Sequence, residues 1–259
     1  MTLPTITQKQ QSILTLLYRF RFLSRIQIQK LLRHKYHKRI IDWLNNLTEK
    51  EYIGKIYSTK YGEINKPAIY YISINGIRYL KALGYPAEQL NRLYKEREKT
   101  ESLVSKHILI TDICLDLQSK NDIDIKYLSA TNSDLADKNY KFNFLAEMAP
   151  DLLFVKISES LPAGRQGMKK YYLLEIFEPT MPQYSIRKKI KQYFDFYFSN
   201  TWEDNTQEPF PTLLLVCPTT PALISTKRFA KKMLGEYDEI DLKIEITTKQ
   251  EVKSNRCYW

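Results

Sequence analysis

The stretch LLEIFEPT, Leu173–Thr180, comes shortly after APDLLFV, Ala149–Val155, and the pair decides how the second half of the chain folds. Asp151 follows Pro150 at the head of one apolar run, and Glu175 stands inside the next. If the two runs are neighbouring strands, the carboxylates converge. Two hard oxygen ligands suit Mg²⁺ and phosphodiester chemistry. Such a site also needs a cation near the attacking water. Side chains alternate faces along a strand, so Phe177 shares a face with Glu175 and Glu178 points away. Phe177, on that shared face, supplies no such cation. The set closes only with a cation from elsewhere. The following helix offers Lys188 and Lys191, with Arg187 beside them, while Lys170 is a weaker choice five residues before Glu175. The plainer alternative makes Asp151 a strand-start residue and pairs Glu175 with Arg187 or Lys191, because a lone buried carboxylate is costly.

Outward from this pair, the pattern is regular. A helix over Ser102–Leu117 precedes the runs IDIKYLSA, PDLLFVKI and KKYYLLEIFE. A basic helix from about Tyr184 to Phe198 follows, then TLLLVCP, a helix across Lys227–Leu234, and LKIEITT. The order α-β-β-β-α-β-α-β predicts a mixed α/β sheet with helices on its faces. The insert SLPAGRQGMKK has glycines but no GK[ST] ending, and is read as a long hairpin loop.

The first half has a different character. Thr7 is placed to cap a helix with Ile13, Leu14, Leu16, Leu17 and Phe20 as its apolar stripe. Ser24 is placed to cap a second with Ile26, Ile28, Leu31 and Leu32. After the basic turn RHKYHK, a third helix buries Ile40, Ile41, Trp43, Leu44 and Leu47. Its outer side carries Lys38, Asp42, Asn45, Asn46 and Glu49. Two β-rich runs, 52–57 and 68–73, flank the polar turn KYGEINKP, and a fourth helix, 74–83, ends at Gly84. Three helices, a hairpin and a closing helix predict a winged helix-turn-helix over residues 1–84. Residues 85–101 read as a linker helix with Leu90, Leu93 and Tyr94 as a modest stripe, and residues 102–259 as the α/β sheet domain.

Charge placement separates the halves. The net charge is +11, and residues 1–101 hold 19 Lys+Arg against 8 Asp+Glu, while residues 102–259 hold 21 of each. A general lysine-rich bias predicts an evenly spread excess. Concentration in the first part points instead to a nucleic-acid-binding module. In a winged helix-turn-helix the third helix enters the major groove. Arg19, Arg21, Arg25, Lys35, Lys38 and Arg39, with Lys60 and Lys66 at the hairpin tip, are then candidates for phosphate contact, and Asn45 and Asn46 for base edges. Any one of these lysines taken alone is more simply a solvated surface charge.

The three cysteines, Cys114, Cys217 and Cys257, show no CxxC pairing and read as free thiols of a reducing, cytoplasmic compartment. No apolar run approaches a bilayer span, and MTLPTITQKQQ lacks the order of a signal peptide. With only His34, His37 and His107, a histidine-based enzyme has little to build from. His34 and His37 read as phosphate-contact or surface residues of the basic turn. His107 reads as a core histidine or, if its helix faces the sheet, as part of the Asp151–Glu175 site.

From roughly Ile6 to Val216 the chain resembles the replication-relaxation family, associated with plasmid replication and mobilisation. The resemblance rests on QQSILTLLYRFRFLSRIQIQKLL, on KHILITDICLDL with His107 at a family histidine, and on PDLLFV followed by YYLLEIFEPT and SIRKKIKQYFDFY. It implies a winged-helix DNA-binding domain joined to a PD-(D/E)xK nuclease-like domain. The pattern departs from that family of nucleases at Phe177. The expectation is therefore a double-stranded-DNA-binding protein with a degenerate nuclease-like domain and no cofactor. The alternatives are a Mg²⁺-dependent endonuclease using Asp151 and Glu175, and a transcriptional regulator whose second domain binds a partner. Double-stranded DNA is the expected partner, with a homodimer or a replication or mobilisation protein as further ones, and no membrane.

Overall fold

The structure, a computed structural model, describes residues 3–57, 67–158, 168–237 and 240–254. Contacts divide the chain into two compact units, Met1–Ser119 and Lys120–Trp259. The expected boundary at residue 102 therefore falls at 120.

In the first unit, α1 (Gln8–Phe20) opens with a reciprocal cap. Thr7 Oγ1 accepts from the Gln10 amide at 3.3 Å, and Gln10 Oε1 accepts from the Thr7 amide at 2.9 Å. Its stripe of Ile13, Leu14 and Leu17 is fully buried. A short β1 (Leu23–Ser24) leads to α2 (Arg25–Leu31), capped by the same device between Ser24 and Gln27. A turn then gives α3 (His37–Glu49), which buries Ile40, Leu44 and Leu47. Strands β2 (Ile53–Ile56) and β3 (Ile69–Ile72) pair antiparallel, and β1 adds on the other side of β3. Helix α4 (Ile74–Ala82) ends before Gly84, whose φ of 87° is the left-handed turn expected there.

Residues 85–101 are not a linker. Helix α5 (Ala87–Arg92) and a 3₁₀ turn, Leu93–Glu98, bury Leu90, Leu93 and Glu96 within the first unit. Helix α6 (Glu101–Ser119), expected to begin the sheet domain, belongs here too. The cause is specific. Gln27 Oε1 is spent on its own cap, and its Nε2 donates to Ile108 O at 2.9 Å and Asp112 Oδ1 at 2.7 Å, both on α6. A buried amide with all these bonds made holds α2 to α6 at no desolvation penalty.

The second unit is a five-stranded mixed sheet in the order β4-β5-β6-β7-β8. Strand β4 (Ile125–Thr131), a short α7 (Asn132–Leu135), β5 (Leu152–Ser158) and β6 (Met168–Ile176) form an antiparallel meander. Helix α8 (Gln183–Phe198) and α9 (Thr201–Thr206) cross to β7 (Thr212–Cys217). Helix α10 (Thr220–Leu234) crosses to β8 (Ile244–Thr248), and α11 (Lys249–Lys253) follows. The pairs β6–β7 and β7–β8 are parallel. Helix α10 begins at Thr220, seven residues before the expected start, because Thr219 accepts from the Ala222 amide and Pro221 suits a first turn. Leu153, Leu173, Phe177, Leu213 and Leu215 on the sheet pack with Ile186, Ile190, Tyr193 and Phe194 of α8. Among the described residues no helix is long and apolar enough to cross a membrane.

Candidate functional site

The carboxylate pair is built by strand register. Leu152 faces Leu174 at the end of the β5–β6 ladder, and Asp151, just before β5, donates its N–H to Leu174 O at 3.0 Å. The chain enters this position through Ala149, whose φ of 49° turns it just before Pro150. Asp151 Oδ2 accepts from the Ile176 amide at 2.7 Å, which holds the carboxylate at the end of β6.

Glu175 is 5% exposed and directed at α8. Its Oε2 accepts from the Tyr193 hydroxyl at 3.0 Å and lies 3.5 Å from Lys189 Nζ, which also donates to Met148 O at 2.6 Å. Burial first, and then the Glu175 charge, push the Tyr193 phenol well above its ordinary range, so it remains a proton donor to Glu175. The cation beside Glu175 is thus Lys189. Lys188 and Lys191, the candidates from sequence, are exposed on other sides of the helix, and Arg187 is exposed with its guanidinium over the Phe229 ring. A sequence signal for Lys189 existed: it lies three residues past Ile186 and four before Tyr193, inside the buried stripe of α8. Phe177 is fully buried in the core below α8, so the position lacking a lysine is a packing position here. Glu178 lies beyond the end of β6, with its carbonyl accepting from the Met181 amide.

Among the described residues no group of three His, Cys, Asp or Glu converges. Magnesium is commonly held by one or two carboxylates, with water completing its shell. Asp151 and Glu175 fit that requirement in ligand type and number.

In the first unit the expected DNA-contacting residues divide into two groups. Lys35, Lys38, Arg39 and Asn45 are exposed on the turn before α3 and on its outer side. Lys30, Arg33, Tyr36 and His37 are exposed in the same region and extend it beyond the expected set. The N-terminus of α3 carries no acidic residue in its first turn and no side-chain cap, so its amides and these cations favour an anion. Arg19 and Arg25 are half-buried, the first over the Phe20 ring and the second beside the Tyr70 phenol. Lys60 and Lys66 lie outside the described residues.

Arg21 and Asn46 are committed elsewhere. The Arg21 guanidinium meets Glu96 Oε1 at 2.6 Å, and Glu96 is 1% exposed. Burial raises the Glu96 carboxyl above its usual range, while Arg21 draws it back. Arg21 Nη1 also lies 3.2 Å from His107 Nε2. A guanidinium only donates, so that nitrogen accepts and the imidazole is neutral. Burial, then Arg21 and Lys106, bring His107 down to about 3. His107 is therefore a satisfied core histidine of the first unit. Asn46 Oδ1 accepts from Gln10 Nε2 at 2.8 Å, tying α3 to α1.

The replication-relaxation family matches residues 14–212 of this 259-residue chain. A solved structure described as Lactococcus lactis ZitR, C30AH42A mutant, is similar over 45% of this chain and 76% of that one, at 18% identity and a TM-score of 0.27. No curated protein matches the chain.

Proposed function

The chain belongs to the replication-relaxation family, and on that premise we propose that it binds double-stranded DNA during replication or mobilisation of a plasmid or other mobile element. The observation that carries this reading is the exposed basic run from Lys30 to Arg39, which ends on the uncapped N-terminus of α3. The order of α1, β1, α2, α3, β2, β3 and α4 supports treating residues 1–84 as a winged helix-turn-helix. In that arrangement α3 lies in the major groove, Lys35, Lys38 and Arg39 meet phosphates, and Asn45 is the amide left to read a base edge.

The test uses the full chain and a labelled duplex at increasing salt. The Lys38→Ala/Arg39→Ala variant is expected to bind more weakly, with a salt slope reduced by about 2, since each phosphate contact contributes roughly 0.9. Equal binding by this variant and the parent protein would refute the reading.

Lys189 supports a second reading, that the second unit is a Mg²⁺-dependent endonuclease. Two carboxylates and an ammonium form the charge set that such chemistry uses, with the ammonium contributed by α8. Asp151 and Glu175 would hold the ion, whose chemistry is to activate water and to offset charge on a phosphoryl group. Lys189 places a fixed positive charge beside Glu175, Tyr193 holds that carboxylate in position, and the Ile176 amide does so for Asp151. Metal-dependent nicking of plasmid, lost in Asp151→Ala/Glu175→Ala, would establish this activity. A shifted but uncut plasmid would leave DNA binding alone.

A further inference from the structure

Residues 120–259 hold 20 Lys+Arg and 19 Asp+Glu, so the second unit is close to neutral. The charges are nevertheless sorted. Helices α8 and α10 contain eight of the cations against one acid, Asp195 near the end of α8, while Glu236 just past α10 pairs with Lys232 at 3.8 Å. Lys189 turns inward to Glu175, while Arg187, Lys188, Lys191, Lys227, Arg228, Lys231 and Lys232 are all exposed.

The two helices lie side by side and run in the same direction. Ser225 Oγ donates to Gln183 Oε1 at 3.2 Å, and one turn later the Arg187 guanidinium sits 5.5 Å from the Phe229 ring centroid. Packed helices are about 8–10 Å apart, so the cations of α8 and α10 merge into one positive surface. We propose that this α8–α10 face is a second nucleic-acid contact, which grips the phosphate backbone through Lys188, Lys191, Arg228 and Lys231, independently of α3.

The chemistry of the face selects this occupant. The apolar sides of both helices are spent on the core through Ile186, Ile190, Tyr193, Ala222 and Met233, so neither has an apolar stripe left for a bilayer. Protein interfaces are depleted of charge at their centres, whereas this face has charge at its centre. Tyr184, 72% exposed at the start of α8, adds a ring on which an unpaired base can stack. Mutual repulsion among these cations is relieved by a polyanion. Lys189, on the inner side of α8, stays on Glu175. The contact requires no cleavage there.

The test compares the parent chain with Lys188→Gln/Lys191→Gln/Arg228→Gln/Lys231→Gln. Binding to labelled single-stranded and duplex DNA and to vesicles with anionic headgroups is measured across a salt series. The variant is expected to lose about 3 to 4 from the salt slope for DNA, at roughly 0.9 per phosphate on duplex and 0.7 on single strands, with unchanged thermal unfolding. An unchanged slope, or loss confined to vesicles, would overturn the proposal. If the Lys38→Ala/Arg39→Ala protein binds normally while this variant does not, the α3 reading fails and the α8–α10 contact stands.

Discussion

Lys189 Nζ lies 3.5 Å from Glu175 Oε2, and it arrives there along a helix rather than along the strand that carries the carboxylate. Strand alternation would place a cation at position 177, which Phe177 fills with core packing instead. Helical spacing returns Lys189 to the same carboxylate from the other side of that core.

This pairing makes Lys189 a stability residue whether or not the site is catalytic. Removing one partner of a buried ion pair leaves the other uncompensated, so Lys189→Met is expected to cost about 3 kcal/mol in urea unfolding. Lys188→Met, on the exposed side, should stay within about 0.5 kcal/mol. In Lys189→Met/Glu175→Leu the loss should be smaller than in Lys189→Met alone, since no buried charge remains unpaired. Equal stability of Lys189→Met and Lys188→Met would show that the ion pair contributes nothing.

His107 predicts an acid sensitivity. Its folded value, about 3, lies below the ordinary 6.5. Its contribution is therefore fully present above pH 6.5 and is lost as pH falls through the interval towards 3, by up to about 1.4 kcal/mol per pH unit. Glu96, raised by burial, acts in the opposite sense and favours the fold as it takes up a proton. His107→Gln keeps an acceptor for Arg21 but does not titrate, so its denaturant midpoint should fall less than the parent's between pH 7 and pH 5. Parallel curves would remove His107 as the cause.

The two fates of the basic residues predict two kinds of variant. Arg21→Ala leaves Glu96 buried and unpaired, and Asn46→Ala leaves the Gln10 amide without its acceptor. Each should lower the free energy of unfolding, the first by about 3 kcal/mol and the second by about 1–2 kcal/mol, with the DNA salt slope unchanged. Lys38→Ala/Arg39→Ala should do the reverse. A changed slope in Arg21→Ala at a temperature where it remains folded would return that residue to the interface.

Gly76 is fixed by close approach. A Cβ there would meet Tyr52 O at 2.3 Å and Ile72 Cγ2 at 2.9 Å. Because the first obstacle is backbone, Gly76→Ala should force α4 away from the loop before β2 at a cost of about 1–3 kcal/mol, despite alanine's better helix propensity. A gain in stability, measured by thermal unfolding, would contradict this packing.

The legible features were those encoded within a few residues. Thr7 with Gln10 and Ser24 with Gln27 announce helix starts, the stripes of α1 and α3 follow from spacing, and the order of strands and helices around LLEIFEPT gives the mixed sheet. Asp151 and Glu175 were read together because two adjacent apolar runs imply neighbouring strands, and β5 and β6 are neighbours.

Which charge meets which was not legible. The first 101 residues offer 19 cations, and nothing local distinguishes Arg21, which turns to Glu96 75 positions away, from Lys38, which faces solvent. The same holds for α6, assigned to the first unit by an amide on α2, and for the choice of Lys189 among neighbouring lysines. The elements, their order and the asymmetry of charge are written locally in the chain, because backbone periodicity and capping act over one or two turns. Tertiary structure alone decided the partners of the ionic and amide groups. Those pairings depend on distance and burial between segments far apart in the chain, where residues of identical chemistry are told apart only by where the fold places them.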